Sequence, residues 1–433
     1  MFFLYNTLLY ALTILLAPII CILLIVRRKY RSGFLEKCAL KPLKLPGAVR
    51  QKRPIWIHAV SVGEVMAAIP FMKELKKRYA HIPIVLSTVT ETGHFTALQN
   101  ADTADYIFYF PFDFPPVVRS VISRIQPRVF VTLEGEIWPN LLRNLKHRNI
   151  PSMIISGRVS AQSFKNYCTF RFFFRRVLGL LDHCSMQTGT DAERIIAIGA
   201  PADRVTVSGS IKFDQPAPSI SPEEQNQLRQ TLTIQNGSPV LIAGSTHRGE
   251  EEIVLAVYRK LKADIPELKM VLAPRHPERF NEVAEILKTG AAAFARKTEL
   301  PPAPGRPAPD IILLDTIGDL SKLYSIATVV FIGGSFVPVG GHNVLEPAVF
   351  NKPVLFGPNM ANFHEIATIL QQKKAAIQVN DADACYRRIR DLLKSPQLQQ
   401  QIGDNAARAI KANSGALAKN IALLENLLNS PRT

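Results

Sequence analysis

The chain has 433 residues, of which 47% are hydrophobic and 20% charged, a composition that suits a globular protein of two or three domains with some membrane contact. Its net charge of +17 lies almost wholly in the first half, since residues 1–212 carry 28 Lys and Arg against 13 Asp and Glu, and residues 213–433 carry 24 against 22. The first half therefore faces something anionic, which a membrane surface, a phosphorylated ligand or nucleic acid could supply. Five scattered cysteines without CxxC spacing exclude a disulfide framework and indicate a cytosolic compartment.

The first predicted element is an apolar segment over residues 2–26, which contains no charged side chain. It is long enough to cross a hydrocarbon core of about 30 Å, and the basic residues that follow it are Arg27, Arg28, Lys29 and Arg31. A cleaved signal peptide would carry its positive charge before a shorter apolar run. We therefore expect a single uncleaved membrane anchor over residues 1–31, with the main body in the cytoplasm. Tyr5, Asn6, Thr7 and Pro18 leave open a segment that lies partly in one leaflet.

Residues 45–214 alternate short apolar strands with helical runs, which predicts a doubly wound parallel sheet. The predicted strands are IWIHAV, IPIVLST, RVFVTLE, SMIIS, HCSMQT and VTVSGS, and the predicted helices cover residues 63–79, 93–100, 138–148 and 165–181. The last of these helices places phenylalanines at helical spacing among Arg171, Arg175 and Arg176. This pattern fits a helix at an anionic membrane interface or a core-facing helix with a solvated basic edge.

A second α/β series follows a Pro/Ser-rich linker at residues 215–232 and fills residues 233–433. Its predicted strands are PVLIAGST, KMVLAPR, DIILLD, ATVVFIGG and PVLFG, its predicted helices cover residues 249–262, 278–288, 318–326 and 343–350, and PPAPGRPAP at 301–309 is a surface loop. The segment from about residue 383 is helical and could pack back across the first domain. The predicted fold is thus two facing Rossmann-like domains, with substrates in the cleft at the carboxyl ends of the strands.

Acidic residues follow the predicted strands of the first domain. Glu64, in HAVSVGE, stands at the start of a helix, where it could act as a general base or simply be favoured by the helix dipole. Glu134 and Glu136, two apart at the end of RVFVTLE, would share one face if the chain is extended there. They could orient an acceptor or hold Arg158, which is itself suited to a carboxylate or phosphate.

Small and basic residues follow the strands of the second domain. Ser245 and Thr246 lead toward a helix, a geometry that suits phosphate, and Arg275 and His276 could neutralise its charge. The glycine pairs that end at Gly334 and Gly341 let the backbone approach a ligand and leave helix N–H groups free for phosphate, while Glu346, a few residues into the helix that follows, could accept hydrogen bonds from ribose hydroxyls. These signals indicate a nucleotide-activated donor, and a nucleotide sugar in particular.

The sequence gives no support for a metal site or for a nucleic-acid-binding function. It has no His/Cys cluster with metal-ligand spacing, so we expect no obligatory metal and no cofactor. A membrane-tethered nucleic-acid-binding protein would explain the charge, but the glycine turns at the strand ends give that alternative no support.

Together these strings resemble the 3-deoxy-D-manno-octulosonic acid (Kdo) transferase family of lipopolysaccharide assembly, through nearly the whole chain. The motifs that carry the resemblance are HAVSVGE, ExExWPN, RxS, GSIKFD, STHRGEE, PRHPERF and GGS…GGHNxLEP, in that order. Gly135, Glu91 and Val344 depart from the family's usual residues, and none of them removes a charged group expected to act.

The resemblance implies a GT-B type glycosyltransferase that inverts the donor's configuration, with CMP-Kdo as donor, a lipid A precursor (lipid IVA) as acceptor, and work at the cytoplasmic face of the inner membrane. Glu64 would be the general base, and Glu134, Glu136 and Arg158 would orient the acceptor or the donor sugar. The residues that would hold the CMP portion are Ser245, Thr246, Arg275, His276, Gly334, Asn343 and Glu346. An alternative is another transferase or an epimerase of this fold that uses a UDP-sugar.

Overall fold

The computed structural model describes residues 1–26, 31, 33–214, 219–290, 293–301 and 308–429. The predicted basic residues Arg27, Arg28 and Lys29, the start of the linker and most of the proline-rich loop lie outside the described residues. The chain divides into two compact units: unit 1 comprises residues 1–215 and 413–433, and unit 2 comprises residues 216–412.

Unit 1 begins with a long helix and continues as an alternating α/β series. Its helices are α1 (Phe2–Val26), α2 (Phe34–Lys37), α3 (Gly47–Gln51), α4 (Val62–Arg78), α5 (Glu91–Gln99), α6 (Pro115–Ile125), α7 (Pro139–His147), α8 (Ala161–Thr169), α9 (Arg171–Leu178) and α10 (Gly189–Ile198). Its strands are β1 (Ile55–His58), β2 (Ile84–Thr88), β3 (Tyr106–Tyr109), β4 (Val129–Leu133), β5 (Ser152–Gly157), β6 (His183–Met186) and β7 (Val205–Val207).

The seven strands of unit 1 form one parallel sheet in the order β3-β2-β1-β4-β5-β6-β7. Both faces of the sheet are covered, because alternate residues of one strand enter different cores: Trp56 packs on one side with Phe130, while Ile55 and Ile57 pack on the other. Burial on both sides explains why the strands are apolar runs without a polar alternation.

Unit 2 repeats this architecture. Its helices are α11 (Pro222–Thr231), α12 (Glu250–Asp264), α13 (Phe280–Thr289), α14 (Leu320–Leu323), α15 (Leu345–Ala348), α16 (His364–Gln372), α17 (Ala382–Lys394) and α18 (Pro396–Asn413). Its strands are β8 (Val240–Thr246), β9 (Lys269–Pro274), β10 (Phe294–Arg296), β11 (Ile311–Leu313), β12 (Val329–Ile332), β13 (Val354–Phe356) and β14 (Ile377–Gln378), paired in parallel in the order β10-β11-β9-β8-β12-β13-β14.

The last helix, α19 (Ala416–Asn429), belongs to unit 1, where Ile421 and Leu424 enter the core beside β1. Asp214 fixes its start, because its two carboxylate oxygens accept the backbone N–H groups of Gly415 and Leu417 at 2.5 and 2.6 Å. A carboxylate at the first turn of a helix also interacts favourably with the helix dipole.

Two helices predicted for unit 2 are longer than the α-helices that the structure has there. The helix predicted over residues 343–350 is the single turn α15, and the one predicted over 318–326 is α14 followed by a 3₁₀ turn. The helix predicted over residues 165–181 is broken at Phe170 into α8 and α9. Of the side chains in that segment, Val177, Leu178 and Leu181 are buried in the core, Phe173 and Phe174 pack against it, and Phe170 is exposed.

Candidate functional site

Several of the predicted site residues lie where the strand order of each sheet reverses, while Arg158 follows the neighbouring strand β5, and Arg275 and His276 follow β9. In unit 1 the reversal falls between β1 and β4, and Glu64 follows β1 while Glu134 and Glu136 follow β4. In unit 2 it falls between β8 and β12, which lead to Thr246 and Gly334. Loops that leave two such neighbouring strands turn to opposite faces of the sheet, so the carboxyl ends open a crevice that suits a ligand.

Glu64 is a buried carboxyl group in the first turn of α4. One oxygen accepts the N–H of Val60 at 2.8 Å and the other accepts the hydroxyl of Ser61 at 3.2 Å, so the side chain is held over the helix start. Burial and, second, the charge of Glu134 raise the pKa of Glu64 to about 8. The group both fixes a helix end and is unusually basic, a combination that separates it from an ordinary capping glutamate.

Glu134 lies in a turn, and the extended geometry expected for Glu134 and Glu136 is wrong. Strand β4 ends at Leu133, and Glu134 has a left-handed backbone with φ of 60°. Its carboxylate pairs with Lys212 at 2.5 Å, and not with Arg158, which was one of the roles left open for the two acids. A left-handed non-glycine residue is strained by about 1–3 kcal/mol, and such strain clusters at ligand sites.

Glu136 and Arg158 flank this turn. Glu136 is exposed, and its carboxylate lies 3.9 Å from Nε2 of His58, a fully buried imidazole whose pKa is lowered by burial. Arg158 is exposed, and its backbone N–H donates to the carbonyl of Glu134 at 2.6 Å. A cavity of about 60 Å³ beside them is lined by Glu134, Arg158 and Tyr167 among others.

The strand ends of unit 2 bring the predicted nucleotide residues together. Ser245 has a left-handed backbone with φ of 57°, Thr246 is fully buried, and the N–H of Arg275 donates to the carbonyl of Thr246 at 3.0 Å. Asn343 donates to Glu346 at 3.3 Å. The pKa of Glu346 is raised by burial, while this hydrogen bond and the charge of Arg275 act to lower it.

The glycine-rich turn is already occupied by a protein carboxylate. Glu250 is fully buried at the start of α12, and its two oxygens accept the N–H groups of Gly334, Ser335 and Phe336 at 2.6–3.0 Å. These three N–H groups of the turn are therefore not free for phosphate. Glycine is still needed here, because Gly334 has φ of 66° and an added Cβ would lie 3.0 Å from His342.

Two histidines form a contact at the centre of these loops. Nε2 of His247 and Nε2 of His342 lie 2.8 Å apart with the rings stacked, and the ring of His276 meets His247 edge-on with centroids 5.1 Å apart. Burial, the neighbouring imidazoles and Arg275 lower the pKa of His247 to about 4 and that of His342 to about 3. The pair is thus neutral at physiological pH, with one Nε2–H donating to the other nitrogen.

Sequence reasoning missed four of these groups, each of which lies in or beside a quoted motif. Glu250 is one of three successive glutamates, and its burial gives no local signal. Lys212 stands in GSIKFD, after a strand end, and a search for cations at every strand end would have found it. His247 and His342 are 95 positions apart, so only the fold brings them together.

Comparison with known proteins assigns the chain to a family. It is 36% identical over 377 residues to the 3-deoxy-D-manno-octulosonic acid transferase of Haemophilus influenzae, covering 86% of this chain and 87% of that protein. The chain belongs to the Kdo transferase family. The family model for 3-deoxy-D-manno-octulosonic-acid transferase (kdotransferase) matches residues 28–215, and the Bordetella pertussis Kdo transferase is 33% identical over 87% of each chain. Membership in the Kdo transferase family makes the chain a glycosyltransferase.

Solved structures agree with the fold class. The UDP-GlcNAc 2-epimerase of Neisseria meningitidis bound to UDP-GlcNAc matches with a TM-score of 0.57 at 13% identity, covering 86% of this chain and all of that one. A glycosyltransferase of Rickettsia africae matches with a TM-score of 0.55 at 14% identity, covering 88% of this chain and all of that one. At such low identity these likenesses show the fold, which is of the GT-B type, and leave the substrate to the site itself.

Proposed function

We propose that this chain transfers Kdo from CMP-Kdo to a lipid A precursor in lipopolysaccharide biosynthesis, inverting the configuration at the donor carbon, with Glu64 as the general base. Family membership supports the transferase activity. The observation that carries the assignment of the base is the buried Glu64 carboxyl, whose pKa of about 8 suits a group that takes a proton near neutral pH.

The proposed reaction is a single displacement. The acceptor hydroxyl loses its proton to Glu64 as its oxygen forms a bond with the anomeric carbon of Kdo, and the bond from that carbon to the phosphate oxygen breaks, so CMP leaves with the electron pair. Glu134 and Glu136 add negative potential around Glu64 and raise its proton affinity. Together with Arg158 they would orient the acceptor or the donor sugar.

For the donor, we assign the nucleotide portion to the strand ends of unit 2. Arg275 would pair with the phosphate, Glu346 with ribose hydroxyls, and Asn343 would hold Glu346 in place through the hydrogen bond described above. Ser245, Thr246 and His276 complete the proposed set. Gly334 would contribute close approach of the backbone, because its N–H is already bonded to Glu250.

For the acceptor, the positive charge of the first half of the chain supports a phosphorylated, membrane-embedded lipid at the cytoplasmic face of the inner membrane. Helix α1 supports the same location, because it is the one helix within the described residues that is long and apolar enough for a membrane span, with a mean hydropathy of 1.8 over Phe2–Ile19.

The test is a transfer assay with CMP-Kdo and tetra-acylated lipid A, read by mass spectrometry of the lipid. We expect Glu64→Gln to reduce the rate at least about a hundredfold while CMP affinity is retained. The matched control is Glu74→Gln, which lies in the same helix but in a surface pair with Arg78, and should keep the parent rate. Full transfer by Glu64→Gln would refute the base, and binding of UDP in preference to CMP would refute the donor.

A further inference from the structure

Helix α1 has two parts with different surroundings. Residues 11–19 and 21–26 are exposed almost throughout, so this part has no side packed on unit 1. In residues 2–10 one face, with Phe2, Tyr5 and Asn6, is partly buried against unit 1, and the other face, with Phe3, Leu4 and Leu8, is exposed. The exposed part spans sixteen residues, or about 24 Å at 1.5 Å per residue. It is therefore shorter than a hydrocarbon core of about 30 Å.

The first part is fixed by polar and aromatic contacts. The Tyr5 hydroxyl donates to Asp113 at 3.1 Å, and Nδ2 of Asn140 donates to Oδ1 of Asn6 at 2.7 Å. The Tyr5 ring stacks on Phe173 with centroids 5.3 Å apart, and the Tyr10 ring lies 5.1 Å from that of Phe114. Asp113 is itself bound, since it accepts the N–H groups that open α7, and its burial raises its pKa to about 6.

The chain that follows α1 returns to the same loop. The Glu36 carboxylate accepts the N–H of Tyr109 at 2.7 Å, and the N–H of Phe112 donates to the carbonyl of Lys37 at 2.8 Å. The Phe34 ring lies against that of Phe112 with centroids 5.9 Å apart. Loop 109–114 thus holds the chain both before and after the exposed part of α1.

We propose that α1 is buried in a single leaflet of a phospholipid bilayer, and that the segments before and after it stay on the side where unit 1 lies. A transmembrane helix needs its two ends on opposite sides, which would pull Asn6 away from Asn140 by roughly the 30 Å of the core. The seven peptide units from Val26 to Gly33 reach at most about 25 Å, enough for the chain to return. This inference goes beyond the proposed activity and does not depend on it.

Phospholipid is the occupant that the exposed part fits. Residues 11–26 carry no charge on any side of the helix. A groove on a protein would cover only one side and leave the remaining apolar surface in water, whereas lipid surrounds the helix. Nearby on unit 1, Phe170 and Phe172 are exposed at 65% and 69%, and Arg171, Arg175 and Arg176 are exposed among them. Exposed aromatic rings beside cations suit the headgroup boundary of an anionic membrane.

Cross-linking in native membranes tests the position of α1. Cys21, Cys38 and Cys168 are first replaced by serine, and the buried Cys184 and Cys385 are kept. A short bifunctional thiol reagent should then link Asn6→Cys to Asn140→Cys within one chain. Should loss of Asn140 disturb folding, Tyr10→Cys with Phe114→Cys is an equivalent pair.

The matched control pairs Phe114→Cys with Ile22→Cys, which lies about 18 Å farther along the helix than Tyr10 and should stay unlinked. A brominated phospholipid should quench a fluorophore at Ile22 more strongly than one at Asn6. The proposal would be overturned if neither the Asn6 pair nor the Tyr10 pair linked in membranes and Asn6→Cys was labelled from the periplasmic side. It would also be overturned if the brominated lipid did not quench a fluorophore at Ile22. The readouts need no transfer activity, so an error in the proposed reaction would not affect them.

Discussion

Glu64→Gln should make unit 1 more stable, and increasingly so as the pH rises. A glutamate pKa of 4.5 in the unfolded chain and about 8 in the fold means that folding retains a proton which the unfolded chain releases. Each tenfold change in the acid constant is worth about 1.4 kcal/mol, so ionised Glu64 costs the fold up to about 5 kcal/mol above pH 8. Glutamine keeps the acceptor for the N–H of Val60 and has no proton to lose.

Urea unfolding followed by tryptophan fluorescence measures this effect, because both tryptophans, Trp56 and Trp138, lie in unit 1. Between about pH 6 and pH 8 the stability gain of Glu64→Gln should grow by about 2.3 kcal/mol, since the stability that protonated Glu64 gives the parent is fully present below pH 4.5 and is lost as the pH rises through 8. The control Glu74→Gln should differ from the parent by less than about 1 kcal/mol at either pH. A gain that is constant with pH would refute the reasoning, because it would show that Glu64 does not titrate with a raised pKa.

Three further predictions concern charges in the two sites. The rate kcat/KM should rise with pH with its midpoint near pH 8, the pKa of Glu64, and level off about one pH unit higher. Glu134→Gln should move that midpoint to lower pH, because it removes a negative neighbour of Glu64, and an unchanged profile would show that Glu134 does not influence the titration of Glu64. Glu250→Gln should lower the stability of unit 2 by about 2–4 kcal/mol in denaturant unfolding, since an amide cannot accept all the N–H groups that the carboxylate holds. In NMR spectra the imidazole resonances of His342 should stay constant from about pH 5.5 to 8, and a titration in that range would contradict its lowered pKa.

The alternation of strands and helices was readable from the sequence because strands buried on both faces are continuous apolar runs. IWIHAV and ATVVFIGG contain the strands β1 and β12 that lie at the two reversals of strand order. Short edge strands such as β10, with only three half-buried residues, carry no such run and were not predicted. The single-turn helix α15 was overestimated because Val349 and Phe350, which the prediction included, are held in a turn.

Within the site, residue types were easier to predict than their partners. Glu64, Glu134 and Arg275 follow strands and carry charge, so position along the chain marked them. That Glu134 would pair with Lys212, or that Glu250 would fill the glycine turn, depends on distances between segments 78 and 84 residues apart. The left-handed backbone of Glu134 could not be predicted from the sequence either. Such a conformation is normally predicted from a glycine, and here the glycine, Gly135, stands one position later.

The left-handed residues at the strand ends have a consequence for protein engineering. Glu134, Ser156 and Ser245 adopt this conformation after β4, within β5 and within β8, each at a position where a stabilising search would choose glycine. A search for stabilising substitutions would therefore favour glycine at these positions and remove the Glu134, Ser156 and Ser245 side chains from the edges of the sheets where the candidate site lies. Any library designed to stabilise this enzyme should therefore leave these three residues unchanged.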